Sequence, residues 1–266
     1  MSDHVLKVSG VVVRFGGLTA VDVDELAVPR GAIVGIVGAN GAGKTTLFDV
    51  ISGFVSPQRG SVVLDGKHEL VRRSPERRAR LGLGRSFQNA VLFGSMTVRE
   101  TLAVALYRRI GRAPALACAL GVRRRAEARI RAGVDELVET MGLHDYADSF
   151  VSELSTGTRR IVDLACVLAH RPTLLLLDEP SAGVAQREVE ALETVIRRVK
   201  QLLDCTFVII EHDIPLIRSL SDELYAMEVG QVIAHGTPDA VLADPQVVAA
   251  YLGTDETAIA RSGAVS

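Results

Sequence analysis

Tryptophan is absent from this chain of 266 residues, and aromatic residues make up only 4% of it. That leaves little from which to build platforms that stack nucleic-acid bases. Lysine is also scarce: Lys7, Lys44, Lys67 and Lys200 are the only ones, the other basic residues being arginines spread over many segments. The formal net charge is -2, so bulk charge announces neither a nucleic-acid nor a membrane surface. Cys118, Cys166 and Cys205 lie far apart with no C-x-x-C spacing. Neither a zinc site nor a disulfide framework is expected, and a reducing cytosol fits. The longest apolar run, residues 113–122, contains Pro114 and Gly121, whereas a spanning helix needs about twenty apolar residues. Met1-Ser2-Asp3-His4 has no basic-then-apolar order of a secretory leader. A soluble chain is expected, with any membrane role reached through a partner.

What is present is organised around Gly38-Ala39-Asn40-Gly41-Ala42-Gly43-Lys44-Thr45. A short apolar run, Ile33 to Val37, precedes it and reads as a buried strand. Thr46-Leu47-Phe48-Asp49-Val50-Ile51 follows with apolar residues at helical spacing. Strand, G-x-x-x-x-G-K-T and helix form the P-loop arrangement, in which glycines turn backbone N–H groups onto phosphate oxygens at a helix N-terminus. Lys44 can reach β- and γ-phosphates, and the Thr45 hydroxyl can ligate magnesium. A dinucleotide fingerprint cannot be laid over this segment. A nucleoside triphosphate is the expected ligand.

Residues 5–28 alternate apolar and polar around Gly16-Gly17, which predicts an antiparallel strand pair with Phe15 at the end of its first run. Residues 61–66 read as another strand. Ser74-Pro75-Glu76 reads as a helix start, and the arginines around it (Arg72, Arg73, Arg77, Arg78 and Arg80) read as a solvated face. Gly84-Arg85-Ser86-Phe87-Gln88 reads as a strand ending on a polar residue. From about Val91 to Ser155 the pattern is helical with no convincing strand, which suggests an inserted helical subdomain. Its Arg123-Arg124-Arg125 cluster, with Arg129 and Arg131, reads as a solvated face or one turned to lipid headgroups or an acidic partner.

The α/β pattern then resumes. Residues 160–170 read as a helix, and Thr173 to Leu177 as a central strand buried on both faces and ending in Asp178-Glu179. Carboxylates at that edge of an open α/β sheet lie where such sheets bind ligands. Gln186 to Leu203 reads as an amphipathic helix. Thr206 to Ile210 is a second buried strand, followed by Glu211-His212-Asp213. The stretches around Gly230 read as a final hairpin, and Gly253 to Ser266 as a frayed tail.

These pieces in this order resemble the ATP-binding cassette (ABC) ATPases, over residues 5–253. The resemblance implies an α/β fold: a P-loop core (5–90 and 160–236) with an antiparallel β subdomain, a helical subdomain (91–159), a C-terminal helical extension (237–253) and a flexible tail (254–266). By resemblance, Gly38 to Thr45 with Thr46 is the Walker A motif and Gln88 the Q-loop glutamine. Asp178 is the Walker B aspartate, Glu179 the catalytic glutamate, His212 the switch histidine, and Phe15 the adenine-stacking aromatic. Leu154-Ser155-Thr156-Gly157-Thr158 resembles the signature L-S-G-G-Q, with Ser155 and Gly157 kept and Thr156 and Thr158 substituted. Ala185 stands where the family's D-loop usually has aspartate, which points to an uneven or slower cycle.

The resemblance implies ATP and Mg2+ as ligands, the ion held by Thr45 and Gln88 with Asp178 acting through a water. Asn40, Gly41 and Gly43 belong to the phosphate cradle. Ser155 and Gly157 are implied to complete the site of an opposing subunit in a head-to-tail dimer. Phe15 to Val21 and the Gly236-to-Gly253 ending resemble ATPase subunits of branched-chain amino-acid importers. That implies integral permease subunits, a second ABC ATPase subunit and an extracytoplasmic solute-binding protein as partners, with no nucleic acid. It also implies a place on the inner face of the cell membrane. Two other readings stay open: a soluble ABC ATPase acting outside transport, and an ATP-binding regulatory subunit paired with an active one.

Overall fold

The computed structural model describes residues 3–87, 92–110, 122–203 and 205–252, the side chains of 108–110, 122–125 and 252 excepted. Gln88, Cys118, the side chains of Arg123, Arg124 and Arg125, and the tail from Gly253 lie outside the described residues. The chain divides into two compact units.

The first unit takes in residues 1–85, 173–180 and 204–266. Strands β1 (His4–Phe15) and β2 (Leu18–Pro29) pair antiparallel around a tight turn at Gly16, as the alternation predicts. With β4 (Arg59–Leu64) and β5 (His68–Glu69) they form a sheet in the order β2-β1-β4-β5. A second sheet uses β3 (Ile33–Val37), β6 (Leu83–Ser86), β7 (Leu174–Asp178), β8 (Thr206–Ile210), β9 (Glu223–Glu228) and β10 (Gln231–Gly236), in the order β10-β9-β3-β8-β7-β6. Its centre is parallel, with β3 beside β8 and β9, and β7 beside β8; the β9–β10 hairpin closes one edge. Every residue of β3, β7 and β8 is buried, the outcome expected of continuous apolar runs in a sheet covered on both faces. One core joins both sheets to α1 (Lys44–Ser52), through Leu47, Phe48 and Ile51 of the helix and Val8, Ile36, Leu176 and Val208 of the strands.

The arginine-rich helix α2 (Pro75–Arg80) corrects one expectation. Arg78 is not on a solvated face but is 1% exposed. Its guanidinium donates to the carbonyls of Val50, Ile51 and Arg73. The last carbonyls of α1 have no partner inside their own helix, and the five-donor fork of an arginine satisfies two of them at once.

The second unit takes in residues 86–172 and 181–203. It holds α3 (Val98–Ile110), α4 (Val122–Met141), α5 (Thr156–Leu168) and α6 (Gln186–Leu202), packed through Leu102, Val134, Val138, Val162, Leu192 and Ile196. It thus draws in α5 and α6 beyond the 91–159 span expected of the helical subdomain. In the first unit α7 (Ile214–Leu220), α8 (Pro238–Leu242) and α9 (Pro245–Leu252) complete the chain.

Candidate active site

The loop between β3 and α1 is shaped by positions only glycine can fill. Gly38 has φ 154 and a Cβ there would lie 2.2 Å from the Met227 carbonyl oxygen; at Gly43, φ 97, it would lie 2.3 Å from that of Ala20. The loop therefore sits directly on backbone of β9 and β2. Gly43 is the N-cap of α1, and neither a capping side chain nor an acidic residue neutralises that end of the helix. Its dipole and first amides are left for an anion. Lys44 is 5% exposed and its Nζ donates to the Gly38 and Ala39 carbonyls at 2.7 and 3.0 Å. Burial pulls its pKa down, while the charges of Glu179 and Asp178 hold it up. Thr45, next along, is exposed, with Asn40 and Gly41 exposed at the loop tip.

The carboxylates arrive on the neighbouring strands. β7 and β8 run in register, with Asp178 opposite Ile210, so Glu179 and His212 emerge at the same sheet edge. Glu179 adopts φ 48, a left-handed conformation uncommon for a residue with a side chain, and its N–H donates to the Ile210 carbonyl at 2.9 Å. Glu179 Oε1 lies 3.1 Å from His212 Nε2. Strained backbone of this kind persists where surrounding contacts over-determine it, often at a working site. Asp178 is buried; burial pushes its carboxyl above the usual range, against which Arg85 pulls it down.

Sequence reasoning missed two supporting residues here. Glu211, 1% exposed, accepts the N–H groups of His212 (3.0 Å) and Asp213 (3.4 Å), so its carboxylate shapes the turn that aims His212. In sequence Arg85 is only part of a strand, yet its Nη2 donates to Asp178 Oδ2 at 3.0 Å. Arg85 has no local signal, because its partner Asp178 is far away in sequence; Glu211 bonds its own neighbours, but a carboxylate beside a histidine reads the same in sequence whether it is solvated or buried.

Phe15 is 54% exposed at the β1–β2 turn, the hairpin end whose Ala20 touches Gly43. Its ring is accessible for stacking. In the second unit, Ser155 is the N-cap of α5, accepting the Thr158 N–H at 3.2 Å with the two hydroxyls 3.0 Å apart. Gly157 packs so closely on α6 that a Cβ would lie 2.7 Å from the Glu188 Cβ. The Glu188 carboxylate is held below its usual range first by a hydrogen bond from Ser155, with the Ala185 and Gly157 amides also donating to it. Thus Lys44, Asp178, Glu179 and His212 are gathered in one unit, and Ser155 and Gly157 lie on the other; Gln88 lies outside the described residues.

The Thr45 hydroxyl and the Asp178 carboxylate are hard oxygen donors of the kind that suits magnesium, which takes few protein ligands and keeps waters or phosphate oxygens. Among the described residues no group of three or more His, Cys, Asp or Glu is placed to hold a metal ion by itself. The donor set fits an ion that comes with a phosphate ligand. Amides and lysine for phosphate, a carboxylate pair and a histidine are the parts of a phosphoryl-transfer site.

Residues 21–182 match the family model described as ABC transporter, and residues 231–257 match one described as branched-chain amino acid ATP-binding cassette transporter. The chain is 36% identical to the high-affinity branched-chain amino acid transport ATP-binding protein BraF of Pseudomonas aeruginosa, over 95% of this chain and 99% of the relative. It is 37% identical to LivG of Escherichia coli, of the same description, over 95% and 99%. Among solved structures it is similar to an ATP-binding cassette of an ABC transporter in its ADP conformation (TM-score 0.79, 28% identity, 95% of this chain and 100% of that one). A nucleotide-free cassette is similar too (TM-score 0.78, 29% identity, 93% and 98%). The chain belongs to the ABC transporter family and is one of its ATP-binding ATPases.

Proposed function

We propose that this protein is the ATP-hydrolysing subunit of an importer of branched-chain amino acids or related small solutes. The observation that carries the reading is the join of the two matches. The core of the chain matches the general cassette, and its last strand and helices match the extension described for branched-chain amino acid transporters.

In this reading Lys44 and the amides of Asn40, Gly41, Gly43, Thr45 and Thr46 hold the phosphates of ATP, Gly38 makes the turn into the loop with its own N–H on Tyr251, and Phe15 stacks on the adenine. Thr45 and Gln88 would hold Mg2+, with Asp178 acting through a water. When bound, the ion would neutralise charge that develops on the transferred phosphoryl group. Glu179 takes a proton from the attacking water, and a base must lie within about 3 Å of it. His212 steadies the Glu179 carboxylate and contacts the γ-phosphate. Ser155 and Gly157 close over the ATP of a second cassette in a head-to-tail dimer. The subunit works peripherally on the inner face of the cell membrane with permease subunits, supplied by an extracytoplasmic solute-binding protein. Among the described residues no helix is long and apolar enough to cross a membrane, which agrees with a peripheral role.

A tagged Glu179→Gln variant, incubated with ATP and magnesium, would be used to capture partners from native membranes for identification by mass spectrometry. Multi-span permeases are expected, with transport assays of the recovered complex giving the solute. Recovery of ribosomes or nucleic acid without any permease would overturn the transport reading.

A further inference from the structure

Arg85 on β6 ties together the two elements that carry the hard oxygen donors. Its Nη1 donates to Asp49 Oδ1 at 2.6 Å and to Ser52 Oγ at 2.7 Å, both on α1. Its Nη2 donates to Asp178 Oδ2 at 3.0 Å, at the end of β7. The guanidinium carbon lies 5.8 Å from the ring centroids of both Phe48 and Phe54, within the range of a cation–π contact. With its side chain 7% exposed, the fork is held in one orientation.

Burying an arginine with two carboxylates is a poor way to gain stability, since apolar side chains of similar volume usually serve as well. What such a triad supplies is geometry. Helix α1 begins with Lys44 and Thr45, so the helix gripped by Nη1 is the one that presents the Thr45 hydroxyl. The carboxylate gripped by Nη2 is that of Asp178. We propose that Arg85 is a positioning residue for magnesium: it braces α1 to β7 and fixes the Asp178 carboxylate relative to the Thr45 hydroxyl. This rests on the reading of Thr45 and Asp178 as the magnesium side of the site. Lysine could not replace it fully, because a point ammonium cannot meet acceptors on two elements with the two arms of a planar fork.

The test is calorimetric titration of the full chain with ADP, once in magnesium and once in EDTA, so that no turnover enters. The quantity read is the gain in affinity that magnesium confers. Arg85→Gln is expected to keep the EDTA affinity and lose most of that gain; removing a residue that orients a metal ligand costs about 10- to 100-fold in metal affinity. Arg85→Lys should recover part of it. Equal weakening in both buffers would mean a brace for the loop alone, and an unchanged magnesium gain would mean no role at all; either overturns the proposal. Should Arg85→Gln not fold, the double variant Asp49→Ala, Ser52→Ala removes both acceptors of Nη1 and leaves the Asp178 contact. A smaller loss of the gain is then expected, and an unchanged gain overturns the brace. A wild-type protein with no magnesium gain would instead overturn the reading of Thr45 and Asp178, and Arg85's role with it.

Discussion

At the scale of single residues, the site depends on backbone that side chains would destroy. A Cβ on Gly43 would stand 2.3 Å from the Ala20 carbonyl oxygen, in a conformation with φ 97. Neither atom can move without shifting the loop or β2. Gly43→Ala is therefore expected to displace the phosphate cradle by a fraction of an ångström or more. Misplacements of about 1 Å cost on the order of a hundredfold in rate. Steady-state ATP hydrolysis would measure it, and a variant within a fewfold of wild type would contradict the close packing described here. The glycine, lysine and carboxylate positions of this site are legible in sequence because each motif is contiguous. Arg85 is not, since its partners are chosen by sheet order, and Glu211 is not, since only its burial in the fold turns its carboxylate back onto the His212 and Asp213 amides.

At the scale of elements, two helix ends make distinct predictions. Ala185 is the N-cap of α6 in extended geometry, with no side chain to accept an N–H, although Glu188 three residues on already reaches back to the Ala185 amide. Ala185→Ser would complete the reciprocal pair of a capping box, worth about 0.5–2 kcal/mol. Denaturant unfolding should show that increase. The other end is the docking of α9. Tyr251 Oη accepts the Gly38 N–H at 2.7 Å, and burial pushes the phenol up to about 12, so it is neutral at any physiological pH. Tyr251→Phe leaves a buried amide without that acceptor and should cost about 1–3 kcal/mol of stability. Thermal or denaturant unfolding checks this, and no loss would mean that the amide finds another partner. In sequence Tyr251 belongs only to the subfamily-like ending; its reach to Gly38, the first residue of the glycine-rich loop, is a tertiary contact.

At the scale of the molecule, the proposed function shares each site between two copies. Ser155 and Gly157 stand on the helical unit, while Lys44, Asp178, Glu179 and His212 stand on the other. The head-to-tail reading predicts that Glu179→Gln protein with ATP and magnesium elutes as a dimer in size-exclusion chromatography with light scattering, and as a monomer with ADP. Adding Ser155→Arg should abolish the ATP-dependent dimer while leaving nucleotide binding by each monomer intact. A dimer that persists with both changes would rule out the signature as part of the interface.

By itself, the sequence determined the strand–loop–helix of the phosphate cradle, the buried parallel strands and the order of the motifs. These follow from local rules: glycine where the backbone must turn, apolar runs where a strand is covered on both faces, and carboxylates at the strand ends. Only the tertiary structure decided that Arg78 is buried under α1, that Arg85 joins Asp49 to Asp178, and that Tyr251 holds the Gly38 amide. An arginine or tyrosine reads the same in sequence whether solvated or enclosed. Its role is set by which carbonyls, carboxylates and amides are left needing a partner once the sheet is assembled.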